Sequence, residues 1–150
     1  MRHLKNTIVV IMVLLFVGCA KTATYKPRTA IVGYTDKHTY MNKFQVSFRG
    51  GKYTPMNQVW EWAYKRAAEV TIDNGYRYFV VFEEKEHFYN LSEDLKGEKD
   101  STKDWADIGG PFPEVTLSFK CYKERPSNTD DAIDAEELLR GNVDVPASSS

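Results

Sequence analysis

The sequence predicts an α+β domain in which one long helix, about 55–74, packs on a small mixed or antiparallel sheet of three to five strands. Two segments, 43–49 and 114–122, alternate apolar and polar residues, the pattern of a strand with one buried face. Between them, residues 55–74 repeat apolar side chains every three or four positions, as an amphipathic helix does. Because the apolar side of that helix needs a second layer to cover it, the patterns together predict a helix on a sheet.

Residues 1–18 have the composition of an export signal, with basic residues at the start and an apolar run at 8–17. That run is shorter than the roughly 20 residues a helix needs to cross the hydrocarbon core of a membrane. The segment is therefore predicted to be removed. The alternative is an uncleaved signal anchor, in which Cys19 is a chance residue.

The end of this leader, Phe16-Val17-Gly18-Cys19, resembles the lipobox of bacterial lipoproteins. The resemblance implies cleavage between Gly18 and Cys19 and attachment of a diacylglycerol to the Cys19 thiol. Ala20, where some lipoproteins have aspartate, resembles those that go on to the outer membrane. We therefore expect membrane lipid as a partner through N-terminal acyl chains, and the periplasmic side of the outer membrane rather than the inner membrane as the location.

The first strands of the domain are expected soon after the leader. A short strand is predicted near 31–34, and the polar stretch 35–42 is predicted to be a hairpin connection. The alternating strand 43–49 follows, and Gly50-Gly51 ends it because a sharp bend there favours glycine.

Both ends of the predicted helix at 55–74 carry boundary signals. Thr54 is the expected N-cap, Pro55 suits the first helical position and Gly75 lies just past the end. The next run, 76–84, is apolar on both alternating faces, which predicts a more central strand. If the strands before and after the helix are parallel, the last strand should pair antiparallel with one of them.

Residues 85–112 are predicted to form a long, solvated acidic loop, with Trp105 as the reason to consider a recognition loop instead. In the strand 114–122, Cys121 lies on the inward face, so a buried thiol is favoured over a reactive or intermolecularly bridged one. Little core material is expected after Pro126. The predicted organisation is a signal peptide (1–18), a tether (19–30), an α+β domain (31–125) and an acidic, partly disordered tail (126–150) with a short helix near 130–140.

Composition and motifs exclude several classes of function. Without Arg2 and Lys5 the chain carries 18 basic and 21 acidic residues and no long basic run, so no nucleic-acid partner is expected. There is no His or Cys pair at metal-ligand spacing, no phosphate-binding loop and no nucleophile elbow. We therefore predict no metal site, no cofactor, no catalytic residue and no enzymatic activity. Arg66, Glu69 and Trp105 are the candidate contacts with a ligand or partner, and a surface ion pair is the alternative for the first two.

Two longer segments carry a family resemblance. The run GYTDKHTYMNKFQVSFRGG, followed by YKRAAEVTIDNGYRYFVV, resembles a group of small uncharacterised bacterial lipoproteins with a "GY…FxVxFRG" strand and a "RAAExTxxxG" helix end. The matched stretch is 33–81, about one third of the chain. The resemblance implies a cell-envelope lipoprotein and no catalytic residue.

Two functions are compatible with these observations. The favoured one is a non-enzymatic envelope lipoprotein that binds or braces another envelope protein. The alternative is a small periplasmic hydrolase or ligand-binding protein that uses 85–112 as a lid and Glu69, Arg66 or His87 as polar groups. A concave pocket that gathers these side chains would favour the alternative.

Overall fold

The computed structural model describes residues 24–29, 31–90 and 110–145. These residues form five strands and two helices. In chain order they are β1 (Gly33–Tyr40), β2 (Lys43–Arg49), α1 (Met56–Asp73), β3 (Tyr78–Tyr89), β4 (Phe112–Tyr122), β5 (Ile133–Asp134) and α2 (Ala135–Leu139). None of the described helices is long and apolar enough to span a membrane.

The strands form one sheet in the order β1-β2-β4-β3-β5, and every pair of neighbours is antiparallel. The predicted α+β class is therefore confirmed. β4 lies in the middle and pairs with both β2 and β3. Because both neighbours run opposite to β4, β2 and β3 are parallel to each other across it.

The core lies between α1 and one face of the sheet. The alternation in β2 and β4 places one residue in two on this face, and the small residues of α1 let the helix approach closely. The sheet contributes Phe44, Val46, Phe48, Phe79, Val115, Leu117, Phe119 and Cys121, and α1 contributes Val59, Trp60, Ala63, Tyr64, Ala67, Ala68 and Val70. The other face of the sheet is polar.

Two local expectations at the first hairpin and the helix start were wrong. Residues 35–42, expected as a connection, supply most of β1, because their polar side chains belong to an edge strand whose residues are mostly exposed. α1 begins at Met56 with Pro55 at its cap position, and Thr54 instead accepts a hydrogen bond from the Gly51 amide (2.9 Å). Gly50 is needed for space, since a Cβ there would lie 2.8 Å from Thr54.

The predicted loop at 85–112 is shorter than expected at both ends. β3 continues to Tyr89 and β4 begins at Phe112, because the charged residues of β3 pair with β4 rather than leaving the sheet. The sequence also predicted little core after Pro126. In the structure, Ala132, Ala135 and Leu138 are buried, and β5 and α2 close one end of the core.

Candidate functional site

The predicted contact residues Arg66 and Glu69 lie on α1 and bind other parts of the same chain. Arg66 donates to Glu69 (2.9 Å) and to Asp36 of β1 (2.8 Å), and its guanidinium lies over the Tyr34 ring. Tyr25, from the segment before β1, donates its hydroxyl to Glu69. The two residues therefore fasten the N-terminal segment and β1 to the helix.

Burial supports this structural role. It raises the pKa of the Tyr25 hydroxyl, and the hydrogen bond to the Glu69 carboxylate raises it further. Burial lowers the pKa of Arg66, but the bonds to Glu69 and Asp36 outweigh it and leave that pKa raised. Arg66 thus stays charged and already has two carboxylate partners, so it has little capacity for an outside ligand.

His87 belongs to a different cluster, on the polar face of the sheet. Its Nε2 lies 3.5 Å from an oxygen of Glu114, which also accepts from Arg28 (2.6 Å) and Arg49 (2.8 Å). The sheet separates this cluster from Arg66 and Glu69. The three polar groups named for a hydrolase are therefore not gathered in one pocket.

One concavity among the described residues is an open groove, here called the β3 groove, of about 1190 Å³. Its floor is the outer edge of β3, and its far wall is the segment that leads through β5 into α2. The apolar lining includes Trp60, Val81, Phe82 and Ile133. The charged lining consists of Arg125 and seven acids, Glu83, Glu84, Glu86, Asp130, Asp131, Asp134 and Glu137.

Several groove acids are held in place by the fold. Trp60 Nε1 donates to Glu86 (2.8 Å) and the Tyr64 hydroxyl donates to Glu84 (2.5 Å). Burial raises the pKa of the Tyr64 hydroxyl, and the bond to Glu84 adds to the shift. Two aromatic side chains of α1 thereby orient carboxylates of β3, and the groove keeps a negative lining.

The described residues contain neither a metal-ligand cluster nor an unpartnered buried polar side-chain atom. No group of three or more His, Cys, Asp or Glu is arranged to hold a metal ion there. Every buried side-chain nitrogen and oxygen in the same parts of the chain has a hydrogen-bond partner. The groove can bind through charge, apolar contact and backbone hydrogen bonds.

Comparisons with known proteins add no family to these observations. No family model, no curated protein and no solved structure matches the chain. The remaining predicted site residues, Gly18, Cys19 and Trp105, lie outside the described residues.

The groove was not predicted from the sequence. Its two walls come from residues about fifty positions apart, and neither wall carries a known motif. One signal was present, since acids at 83, 84 and 86 follow directly on an apolar strand segment and a second acidic pair lies at 130–131. That pattern places charge beside a strand, but it does not show that the two acidic segments meet.

Proposed function

We propose that the chain is a non-enzymatic cell-envelope lipoprotein that is anchored through Cys19 and binds another envelope component in the β3 groove. The observation that carries the binding role is the groove itself, a large concavity with an acidic lining and an exposed strand at its floor. The observation that supports the anchor is the lipobox-like ending of the leader at Gly18-Cys19.

The packing of the N-terminal segment limits how far the domain could lie from an acylated Cys19. Tyr25 stacks on Phe48 with 6.0 Å between ring centroids and bonds to Glu69, so the chain is attached to the domain six residues after Cys19. Six extended residues span at most about 20 Å. An acylated Cys19 would therefore hold the domain close to the bilayer surface.

Replacement of Cys19 tests the anchor. In the full-length chain expressed in a bacterial host, we expect Cys19→Ser to abolish incorporation of labelled fatty acid, to block cleavage before residue 19 and to weaken membrane attachment. Cys121→Ser, which removes the other thiol, is the control and should leave all three unchanged. Normal processing and retention of the Cys19→Ser chain would refute the lipid anchor.

Site-specific photocrosslinking in cells tests the binding role. A photoreactive amino acid at Phe82, an exposed residue of the groove, should give a discrete crosslinked product with an envelope component. Tyr53 is 88% exposed and does not line the groove, so the same group there is a matched control. Crosslinking at both positions alike, or at neither, would contradict a specific partner in the groove.

A further inference from the structure

We propose that the β3 groove binds an extended cationic segment of a partner polypeptide, which adds to the outer edge of β3 as a strand. This inference rests on the proposed binding function and names the chemistry of the partner. The backbone edge defines where the segment lies, and the acids of the groove define its charge.

Among the described residues, the outer edge of β3 is only partly paired. β3 has 12 residues, but β5 pairs with it at Tyr78 and Phe79 alone. Beyond this pairing, residues 81–83 of β3 line the floor of the groove. A polypeptide laid in the groove would therefore continue the line of β5 and meet backbone groups that already have strand geometry.

The opposite edge of the sheet is less available. There, the segment before β1 lies along the start of that strand, where the Arg28 amide donates to Tyr34 O (2.7 Å) and the Tyr34 amide donates to Lys26 O (2.9 Å). Among the parts of the chain that the structure describes, β3 thus offers the edge that combines strand geometry with a concave surface.

The irregularity of β3 makes this edge selective. Its pairing with β4 shifts between Val81 and Glu83, as at a β-bulge, and Phe82 is left 57% exposed. Bulges discourage indiscriminate pairing of sheet edges, because an incoming strand must match the altered twist. A segment that does match it can contact the exposed Phe82 ring.

The lining sets the charge of the partner. Seven acids and a single arginine, Arg125, line the groove, and two exposed acids, Asp130 and Asp131, form part of the far wall. An extended strand directs alternate side chains to opposite sides. Lysine or arginine at alternate positions would face these carboxylates, whereas an acidic segment would be repelled.

Synthetic peptides test the proposal with the processed chain, residues 19–150, carrying Cys19→Ser. The probe is a peptide of about eight residues that alternates lysine and valine, long enough to cover the groove edge. We expect it to bind and to slow hydrogen exchange of the backbone amides of residues 80–83. A peptide of the same sequence with alternate backbone nitrogens methylated should bind at least about tenfold more weakly, because it cannot complete the strand pairing. A glutamate-for-lysine peptide should not bind.

Charge variants provide the matched control. Asp130→Asn with Asp131→Asn should weaken the lysine–valine peptide about three- to tenfold at low salt, and added salt should reduce the difference. Glu61→Gln with Asp73→Asn removes the same charge from exposed positions of α1 outside the groove and should leave binding unchanged.

The outcomes separate this inference from the proposed function. Equal binding of the methylated peptide, or binding without protection of residues 80–83, would overturn strand addition. If one of these two results is obtained but Phe82 still crosslinks to a partner in cells, the binding function stands and only the strand mechanism is wrong. If the peptide does not bind and Phe82 captures nothing, both are wrong.

Discussion

Glu114 is a buried carboxylate on the polar face of the sheet, and three neighbours keep it ionised. Burial by itself raises its pKa, but hydrogen bonds from Ser47, Arg49 and Arg28 outweigh burial, and the net pKa is lowered. Arg49 is held in turn by the Tyr89 ring, 3.5 Å from the guanidinium carbon. Through these hydrogen bonds, the Glu114 side chain links the N-terminal segment, β2 and β4.

The lowered pKa of Glu114 predicts a loss of stability in acid. The unfolded chain takes up a proton near the ordinary value of 4.5, whereas the folded chain takes it up only at lower pH. The stabilisation is therefore complete above about pH 4.5 and is lost as the pH falls through the folded pKa. Glu114→Gln should lower the free energy of unfolding at pH 7 by about 2 kcal/mol, because two arginines lose their partner. The same substitution should also make the free energy of unfolding depend less on pH below 4.5.

Urea titrations at several pH values would measure both effects. Glu61→Gln, at an exposed position of α1, is the control and should leave the pH profile as it is. If the Glu114→Gln variant loses as much stability in acid as the parent chain, other carboxylates cause the acid sensitivity.

The Tyr25 hydroxyl predicts a local effect. Tyr25→Phe keeps the ring contacts with Tyr34 and Phe48 but removes the bond to Glu69. We expect a cost of about 1 kcal/mol, typical of one partly buried hydrogen bond. Backbone amides of residues 24–29 should then exchange faster, while those of β4 should change little. Equal acceleration across the whole sheet would contradict a local role for this bond.

The elements differ in how well their sequences predict them. β2 and β4 could be predicted closely, because apolar residues alternate with polar ones along 43–49 and 114–121. β1 could not, since its exposed edge position leaves its side chains polar and removes the alternation. The predicted strand at 76–84 stopped too early. Residues 85–89 were missed because they are mostly charged or polar, although they pair with β4 and Glu86 accepts a hydrogen bond from Trp60 of α1.

The end of α1 provides a prediction at the scale of an element. Gly75 has a φ of +77°, and a Cβ placed there would meet nothing within 4 Å. Gly75→Ala should therefore cost about 1 kcal/mol through backbone conformation alone. Gly75→Asn should cost less, because asparagine tolerates this conformation better. Thermal unfolding of both variants checks the order, and an alanine variant as stable as the parent would contradict it.

At the scale of the whole molecule, Cys121 reports on the integrity of the core. Its side chain is fully buried, and burial raises the pKa of the thiol to about 11, with a smaller opposing effect from Thr71. We expect a Cys19→Ser chain at pH 8 to react with a thiol reagent only as fast as it unfolds. The rate should rise with urea in step with the unfolding transition. Rapid reaction of the folded chain would show that the core opens locally near β4.

The groove shows why the candidate site was harder to predict than the fold class. Fold class follows from periodicity within single segments, such as 43–49 and 55–74. The groove needs β3 and the segment around 130–137 to lie side by side, which depends on the pairing of β5 with Tyr78 and Phe79. That pairing involves two residues of each strand, too few for a sequence pattern.

The central position of β4 has a consequence for the order in which the protein can form. β2, α1 and β3 are synthesised first, yet the strand that joins β2 to β3 comes last of the long strands. A chain still emerging from a ribosome therefore holds β2 and β3 without the strand that joins them until residue 122 is free. This order would delay folding of the newly made polypeptide until β4 is available to join the two strands.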